Sequence, residues 1–559
     1  MSLFSKSFKA FCMVVAVALL PMLASCQWIT EDYDDEISDN SASRYINITV
    51  SVSASNEPVT RANPTGGETG DGLEKGNDRE NQVDKITLIF YQDEDNAGIN
   101  TTSTSTKVAF FATYPVTKTD NYYGTHNHQL DGDSPAGWTG ESNDNEVIYS
   151  TGDQKLDEGA IDVTKTYHAI VVANAPYTLL ANITAGETTI AEVRDMVVSN
   201  VYEGTEAGIV AGVGTAAQKF VMSSERDATV TFTNKKIDEQ NNTITYYFEC
   251  IHIERLAARI DFHTKYGGLK TVEEGGTTSD NTQATWVNDK YKVNADDANY
   301  LAGYDYKVFA NETETDPTSN DHFLVVGFTP FNVSNGNEYI VKRTNDGDKP
   351  YLHKETTTNW VLDPYSADGK TNEAYPTHIG YHLENLTTAA NVAGSNNHLA
   401  LTNTENGCGQ SYNNSDTDNK DNIIVGYVKE NTIEKESPLY YYATGLAIEG
   451  YYFKGDATSG GEHMVLYTFL RHQGEATTAQ PYDAFTFSFT HDTNRQKTLE
   501  QVKAMKCHET TAMNFGIVRN NIYRVSINRI TKPTDETPKV TLLIKVKKWD
   551  KFVHAPIYM

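Results

Sequence analysis

The chain has 559 residues, with 75 acidic and 46 basic side chains, so its formal net charge is −29 at neutral pH. A surface this acidic repels nucleic acid and anionic lipid headgroups, and nucleic acid is not expected as a partner. One hydrophobic core rarely organises so long a chain, which predicts at least two domains. Aromatic residues make up 11%, including 33 tyrosines, and together with abundant Thr and Val they favour a mostly β fold.

The first 25 residues have the pattern of a secretion signal. Lys6 and Lys9 precede an apolar run that ends at Ala24 and is too short to span a bilayer. The run leads into Leu-Ala-Ser-Cys at positions 23–26, which resembles a bacterial lipobox, in which the cysteine is diacylated and becomes the first mature residue. We therefore expect a lipoprotein with Cys26 as its lipidation site. The alternative is an ordinary signal peptide with a chance cysteine.

The cysteines that follow Cys26 do not suggest a disulfide framework. Cys250, Cys408 and Cys507 are an odd, widely spaced trio without CxxC spacing, which also argues against a zinc site. Three buried thiols are the favoured interpretation, and one disulfide among them stays open.

The first predicted strand covers residues 45–53. Its apolar residues Ile46, Ile48, Val50 and Val52 alternate with polar ones, the pattern of a strand with one buried face. A turn-rich polar stretch follows from residue 56 to 77 and contains Arg61-Ala62. An exposed segment of this kind is a suitable substrate for an arginine-specific protease.

The remainder of the chain predicts many short strands and few helices. In the first half we expect strands near 83–91, 107–114, 167–175, 220–224, 228–233, 244–250 and 253–262, with a helix at 189–198. A loop-rich stretch then predicts a domain boundary near residue 265. In the second half we expect strands near 304–310, 322–328, 440–453, 464–470, 485–490, 519–528 and 540–549, with a helix at 498–505. Many short strands separated by turns and loops suggest β-sandwich domains.

Catalytic and metal-binding patterns are weak in this sequence. It contains no GxSxG, HExxH or phosphate-cradling glycine loop, and no catalytic residue, metal site or cofactor is expected. His126 and His128, followed by Asp131 and Asp133, are metal-ligand types, but a chain rich in Asp and Asn produces such loops readily. An alternative class is a glycan-binding surface lipoprotein or an enzyme of polysaccharide use, with sugar rings stacked on Trp138, Tyr440, Tyr441, Tyr442, Tyr451 or Tyr452. Neighbouring residues of a strand point to opposite faces, so we expect at least half of these tyrosines to lie in the core.

Taken in chain order, these landmarks resemble the fimbrillin family of Bacteroidia-type bacteria, the subunits of type V pili, and most closely its minor-fimbria branch. The acidic stretch at 31–36 likewise resembles the export tags of surface lipoproteins from such bacteria. Long insertions at 115–160 and 340–430 depart from the family pattern, so loop functions are not carried over. The matching segments are the lipobox at Cys26, Arg61-Ala62, Val-Asp-Lys-Ile at 83–86, residues 167–174, Phe-Val-Met-Ser at 220–223, the segment with Arg255 and Arg259, Arg-Asn-Asn-Ile-Tyr at 519–523 with Val525 and Ile527, and the strand containing Trp549.

The resemblance implies an all-β protein with two β-sandwich domains, at 62–265 and 266–559. Residues 26–61 would form a lipidated segment that an arginine-specific protease removes by cutting between Arg61 and Ala62. A neighbouring subunit would then fill the vacated groove with a strand from its C-terminal segment 539–559. The plug residues would be Ile46, Ile48, Val50 and Val52, and the donor residues Val540, Leu542, Ile544, Val546 and Trp549.

The same resemblance implies a place on the cell surface. The partners would be further copies of the chain, other pilus subunits, the protease and, before cleavage, the outer membrane through the lipid. A fimbrial tip or anchor subunit is the alternative within the family, and a host or bacterial ligand is not identified. Both terminal strands would be ordinary intramolecular strands under the simplest alternative.

Overall fold

The structure is a computed structural model, and it describes residues 42–52, 73–75, 80–92, 103–119, 148–203, 219–224, 227–248, 250–264, 284–311, 314, 317, 320–344, 361–365, 377–401, 422–432, 441–470, 486–487, 498–503, 516–531 and 539–550. Strands dominate these ranges, which confirms the predicted all-β fold class.

The strands up to residue 263 are β1 (Ser43–Asn47), β2 (Thr49–Val52), β3 (Leu73–Lys75), β4 (Lys85–Tyr91), β5 (Val108–Pro115), β6 (Thr117–Thr119), β7 (Ile148–Ser150), β8 (Gln154–Lys155), β9 (Tyr167–Ala173), β10 (Val197–Val198), β11 (Tyr202–Glu203), β12 (Lys219–Phe220), β13 (Met222–Ser224), β14 (Ala228–Val230), β15 (Lys235–Asp238), β16 (Thr243–Tyr247), β17 (Ile251–Arg255) and β18 (Ala258–His263).

The later strands are β19 (Thr285–Tyr291), β20 (Leu301–Lys307), β21 (His322–Phe331), β22 (Val333–Ser334), β23 (Glu338–Tyr339), β24 (Arg343–Thr344), β25 (Val361–Leu362), β26 (Ile379–Gly380), β27 (Leu399–Ala400), β28 (Asn422–Val428), β29 (Gly445–Phe453), β30 (Glu462–Phe469), β31 (Thr486–Phe487), β32 (Asn521–Thr531) and β33 (Lys539–Asp550).

Helices are short in the described ranges. They are α1 (Tyr177–Leu180), α2 (Ile190–Arg194), α3 (Ala389–Ala393) and α4 (Leu499–Lys503), with a 3-10 turn at Leu383–Asn385. Thr189 caps α2 in a reciprocal capping box with Glu192, which explains why the helix begins where the sequence predicts. It ends at Arg194, before the predicted 198, because Val197–Val198 pairs with β23 as a strand. No described helix is long and apolar enough to cross a membrane.

Four larger sheets organise the described strands. Their strand orders are β15-β16-β1-β8, then β5-β4-β9-β13-β17-β2-β7-β6 with β14 beside β9, then β28-β18-β32-β33-β3, and β19-β20-β21-β29-β30-β31 with β27 beside β21. Only a bend at Val116 separates β5 from β6, so residues 108–119 supply both outer strands of the second sheet. In the third sheet β18 and β32 pair in parallel, from Arg259 opposite Ile522 to His263 opposite Ser526.

Buried apolar side chains form two main cores in the described part of the chain. The first core cluster joins the first two sheets and includes Ile46, Ile89, Val171 and Ile253. The second core cluster lies between the third and fourth sheets and includes Phe262, Phe328, Ile448, Leu466 and Val525, with the Phe262 and Phe328 rings 4.4 Å apart. Sheet packed face to face on sheet is the sandwich arrangement.

The chain passes between the two core clusters within two neighbouring residues. Ala257 belongs to the first cluster and Ala258 to the second. Later residues return to the first cluster, namely Ile340, Val341, Ile424, Tyr427 and Ile522. The division into units at 62–265 and 266–559 stays a proposal.

Candidate strand-exchange site

The N-terminal strands lie in the interior of two sheets. Strand β1 pairs in parallel with β16 and antiparallel with β8. Strand β2 pairs in parallel with β17 and antiparallel with β7. The segment therefore changes sheets at Ile48, whose backbone N–H donates to Thr151 Oγ1 at 3.0 Å and whose carbonyl accepts from the N–H of Thr151 at 3.0 Å.

The four predicted plug residues are all fully buried. Ile46, Ile48, Val50 and Val52 each have a relative exposure of 0% and belong to the first core cluster. Burial of such side chains stabilises by about 1.5–3 kcal/mol each, or roughly 6–12 kcal/mol for the four before entropy is counted. The N-terminal segment is therefore an integral part of this core.

The polar residues of the same segment are buried as well, which differs from the predicted single buried face. Asn47 is 4% exposed, and Thr49 and Ser51 are 0% exposed. The Asn47 amide donates to Asp153 Oδ1 at 2.9 Å and accepts from Ser150 Oγ at 2.9 Å. Because their hydrogen bonds are made within the protein, small polar side chains can lie on a covered face.

Removal of β1 and β2 would open a continuous groove between four strands. One wall would be β16 and β17, and the opposite wall β8 and β7, since these are the ladder partners of the segment. Backbone donors and acceptors on both walls would lose their partners beside exposed apolar side chains. Such an edge is a template for another strand.

The proposed processing residues lie outside the described part of the chain. These residues are Cys26, Arg61 and Ala62, and the loop with His126, His128, Asp131 and Asp133 also lies outside the described ranges. In the described ranges, no group of three or more His, Cys, Asp or Glu side chains is arranged to hold a metal ion.

The terminal strand is paired with its own chain. Residues Lys539 to Lys548 of β33 form an antiparallel ladder with β32, from Thr531 to Asn521, with an irregularity between Ile527 and Arg529. The last three residues of β33 pair in parallel with β3. This is the intramolecular arrangement that the sequence left as an alternative, and donation to a neighbour requires β33 to leave β32.

A buried polar joint connects the groove wall to the start of β32. Arg255 ends β17, and its guanidinium donates to Asn520 Oδ1 at 3.0 Å and to the carbonyl of Glu80 at 2.9 Å. On β18, Arg259 pairs with Asp261 at 2.8 Å and with Glu80 at 3.1 Å. Both arginines are at most 1% exposed. The sequence points to this segment only through the family resemblance, and the available signal was two arginines, Arg255 and Arg259, within an apolar stretch.

A second buried charge group lies close to this joint. Arg519 donates to Glu430 Oε2 at 2.7 Å and lies 3.8 Å from Glu338 Oε2. Burial opposes the charge of Arg519, but the neighbouring Glu430 carboxylate holds its pKa above the ordinary value. Burial raises the pKa of Glu338 well above its usual range, and Glu430 raises it further. The folded protein therefore holds the Glu338 proton to a higher pH than an exposed glutamate would.

The tyrosines considered for sugar stacking are mostly part of the cores. Tyr441, Tyr442 and Tyr452 are buried at 4%, 7% and 4% exposure. Tyr451 is partly buried and stacks on the His463 ring at 4.4 Å with an interplanar angle of 4°. The other two aromatic residues, Trp138 and Tyr440, lie outside the described ranges.

No family model and no curated protein matches the chain. Solved structures resemble it at low identity. They include a candidate cell adhesion protein of Parabacteroides distasonis, with 13% identity, a TM-score of 0.37, and coverage of 91% of this chain and 99% of that one. The tip fimbrial protein Mfa3 of Porphyromonas gingivalis, with a C-terminal truncation, has 9% identity, a TM-score of 0.34, and coverage of 91% and 100%.

A fimbrilin of Porphyromonas gingivalis is also similar, with 10% identity, a TM-score of 0.28, and coverage of 91% of this chain and 98% of that one. These proteins are of the kind that the sequence resemblance indicates. Identities and TM-scores this low carry no functional argument, so the proposals below rest on the strands and contacts of this chain.

Proposed function

We propose that this protein is a structural subunit of a cell-surface fimbria, exported as a lipoprotein through Cys26, cleaved after Arg61 and polymerised by strand exchange. In this role it contributes to adhesion and has no enzymatic activity. The proposed location is the surface of the outer membrane before cleavage and the fimbrium afterwards.

The observation that carries this proposal is the position of β1 and β2. Residues 46–52 are buried and both strands are paired on both sides, yet the strands precede the polar stretch that contains Arg61. A cut in that stretch would break the covalent link between the plug and the remainder of the chain. The plug would then be held by non-covalent contacts alone and could be replaced.

The replacement strand in this proposal is β33 of a neighbouring copy. Its residues Val540, Leu542, Ile544 and Val546 have the spacing of the four plug residues. Trp549 follows at the end of the strand. An incoming strand with this pattern restores both the backbone hydrogen bonds and the apolar contacts of the groove. Each joint would then bury an apolar set similar to the plug that it replaces.

N-terminal sequencing of filaments sheared from cells tests the proposal directly. Ala62 as the first residue is the expected result, because the subunit would have lost the segment with β1 and β2. A first residue that is acylated Cys26 would show that the plug is retained, and the strand-exchange proposal would then be wrong.

A second candidate is a tip subunit of the same filament. The ladder between β32 and β33 favours it, because a terminal strand that completes its own sheet is not available to a neighbour. Immunogold labelling separates the two candidates. Label along the whole filament supports the shaft subunit, and label confined to filament ends supports the tip.

A further inference from the structure

The groove that β1 and β2 occupy contains one polar position with a carboxylate beside it. Asp153 Oδ1 accepts the Asn47 amide at 2.9 Å, and Asp153 Oδ2 accepts from Thr245 Oγ1 at 3.3 Å. Asp153 itself is exposed, at the rim of the groove. A longer cationic side chain at the position of Asn47 could extend its apolar stem along the groove and place its charge beside Asp153.

The terminal strand carries one such side chain between its apolar residues. The residues that alternate with Val540, Leu542, Ile544 and Val546 are Thr541, Leu543 and Lys545. They would occupy the three buried polar positions of the plug, which are those of Asn47, Thr49 and Ser51. The position of Lys545 therefore depends on the direction in which the strand enters.

The two directions differ in the surroundings of Lys545. If the strand runs in the direction of β1 and β2, Lys545 takes the position of Ser51, between Ile148 and His252. If it runs the opposite way, Lys545 takes the position of Asn47 beside Asp153, and Thr541 replaces Ser51. A cation at a buried position needs a polar partner, and the second direction supplies the Asp153 carboxylate, so it fits better.

The other lysines of the strand do not separate the two directions. The position of Tyr45, which is paired with Lys155, would receive Lys547 in the reversed direction and Lys539 in the same direction. Both directions thus bring a lysine opposite Lys155. The two directions therefore differ in the surroundings of Lys545 and not in those of the other lysines.

The type of ladder does not separate the two directions, because a reversed strand would be antiparallel to β16 and β17 but parallel to β8 and β7. One further observation favours reversal. In its own chain, Lys545 stands opposite Arg524 in the ladder register. Like charges at directly opposite positions weaken such a pair, and transfer to the groove would exchange Arg524 for Asp153.

We propose that the terminal strand of a second copy enters the groove in the direction opposite to β1 and β2, with Lys545 beside Asp153 as the contact that sets direction and register. This inference rests on the proposed function and adds a specificity-determining residue to it. Asp153 is a positioning residue here, and it distinguishes a strand with a correctly placed lysine from one without.

Disulfide trapping tests the direction. The probe is a synthetic peptide of residues 539–559 with Thr541→Cys, added to the full chain after cleavage at Arg61, so that Lys545 and Asp153 are both retained. The chain carries Ser at positions 250, 408 and 507 and a single new cysteine, either His252→Cys, opposite the Ser51 position, or Tyr247→Cys, opposite the Asn47 position. A reversed strand places Thr541 at the Ser51 position, so we expect a disulfide with the first variant and not with the second. Preferential trapping by the second variant, or equal trapping by both, would overturn the inference.

A charge exchange provides a second measurement that keeps the native cysteines. Asp153→Lys should weaken binding of the unmodified peptide about two- to five-fold at low salt, the range of an exposed ion pair. A Lys545→Glu peptide should bind this variant better than it binds the unaltered chain. Asp157→Lys, which makes the same change in net charge four residues away, is the control and should leave both affinities unchanged.

The outcomes distinguish a failure of the Lys545–Asp153 contact from a failure of strand exchange itself. Equal effects of Asp153→Lys and Asp157→Lys would overturn the contact between Lys545 and Asp153, while strand exchange itself would stand. Absence of any binding by the unmodified peptide to the cleaved chain would overturn strand exchange, and this inference with it.

Discussion

The Arg255 guanidinium donates a 3.0 Å hydrogen bond from Nη1 to Oδ1 of Asn520, across 265 positions of the sequence. Asn520 has a positive φ of 56°, a conformation that Asn adopts more readily than most residues, and β32 begins immediately after it. The contact therefore fixes the end of the groove wall β17 to the beginning of the hairpin that carries the terminal strand.

Arg255→Ala should destabilise the fold by at least about 2 kcal/mol. The Glu80 carbonyl and Asn81 Oδ1 would lose the guanidinium as their buried donor, and Asn520 Oδ1 would keep only the 3.4 Å bond from the Arg255 backbone N–H. Each buried group that loses its partner costs about 1–3 kcal/mol. Urea unfolding measures the effect. The control is Arg343→Ala, which removes an ion pair with Asp195 whose side chains are 31% and 65% exposed and should lose less than about 1 kcal/mol. If both variants lost the same free energy of unfolding, the buried contacts of Arg255 would not stabilise the fold more than an exposed ion pair does.

Glu338 should make the stability of the protein decrease as pH rises. Its unfolded pKa is about 4.5, whereas burial and then Glu430 raise the folded pKa well above this value, against the opposing effect of Arg519. Above about pH 4.5 the unfolded chain releases this proton while the folded chain keeps it, so the free energy of unfolding falls. Glu338→Gln should remove this contribution and gain stability relative to the unaltered protein as pH rises.

Glu192→Gln is the control for that pH series. Hydrogen bonds from Thr189 lower the pKa of the exposed Glu192 carboxyl, so its contribution has the opposite sign and is lost as pH falls. Unfolding curves from about pH 2 to 8 would show both trends, because the Glu192 contribution is lost below its ordinary pKa of 4.5. A Glu338→Gln variant whose stability parallels that of the unaltered protein throughout would contradict the raised pKa.

Cys26→Ala should abolish fatty-acid labelling of the precursor, because the thiol is the group that accepts the diacylglycerol. Labelling with a radioactive or alkyne fatty acid measures the result, and Cys12→Ala, a change inside the signal segment, is a suitable control. Unchanged labelling of the first variant would mean that this chain is not a lipoprotein modified at Cys26.

Arg61→Ala should leave β1 and β2 covalently attached, so that the groove stays filled and the subunit accumulates as a lipid-anchored monomer. Arg44 lies within β1 and pairs with Ile244, and its replacement in the same chain excludes a second cut. Electron microscopy and size-exclusion chromatography measure filament formation. Normal filaments from this variant would show that cleavage is not required.

Truncation before Pro538 distinguishes donation from an intramolecular role of β33. If the strand is donated, the cleaved and truncated chain should be a folded monomer that accepts a strand but gives none, and a peptide of residues 539–559 should raise its melting temperature. If the ladder with β32 is required for the fold, the truncated chain should lose cooperative unfolding. Polymerisation by the truncated chain would contradict donation.

The sequence predicted the apolar framework well because alternation reports directly on burial. Ile46, Val50 and their neighbours in the plug were expected to be buried, and they are. The burial of Thr49 and Ser51 could not be predicted, because alternation shows that one face of a strand is apolar but not what covers the other face. Alternation also predicted that at least half of the tyrosines at 440–442 and 451–452 lie in the core, and Tyr441 and Tyr452 do.

The polar joint formed by Arg255 and Arg259 could not be predicted from the sequence, for a related reason. Arg255 and Arg259 find their partners in Glu80 and Asn520, which are far away in sequence, and no local pattern indicates such pairings. The positions of Cys26 and Arg61 depend on motifs alone, since the structure does not describe them.

The parallel pairing of β18 with β32 has a mechanical consequence for a filament of the proposed kind. Tension from one neighbour would reach β18 at its N-terminal end, through the groove wall β17. Tension from the other neighbour would reach β32 at its C-terminal end, through β33. Two parallel strands pulled from these opposite ends are loaded in shear, so their hydrogen bonds from Arg259 to His263 share the force at once and do not break one after another.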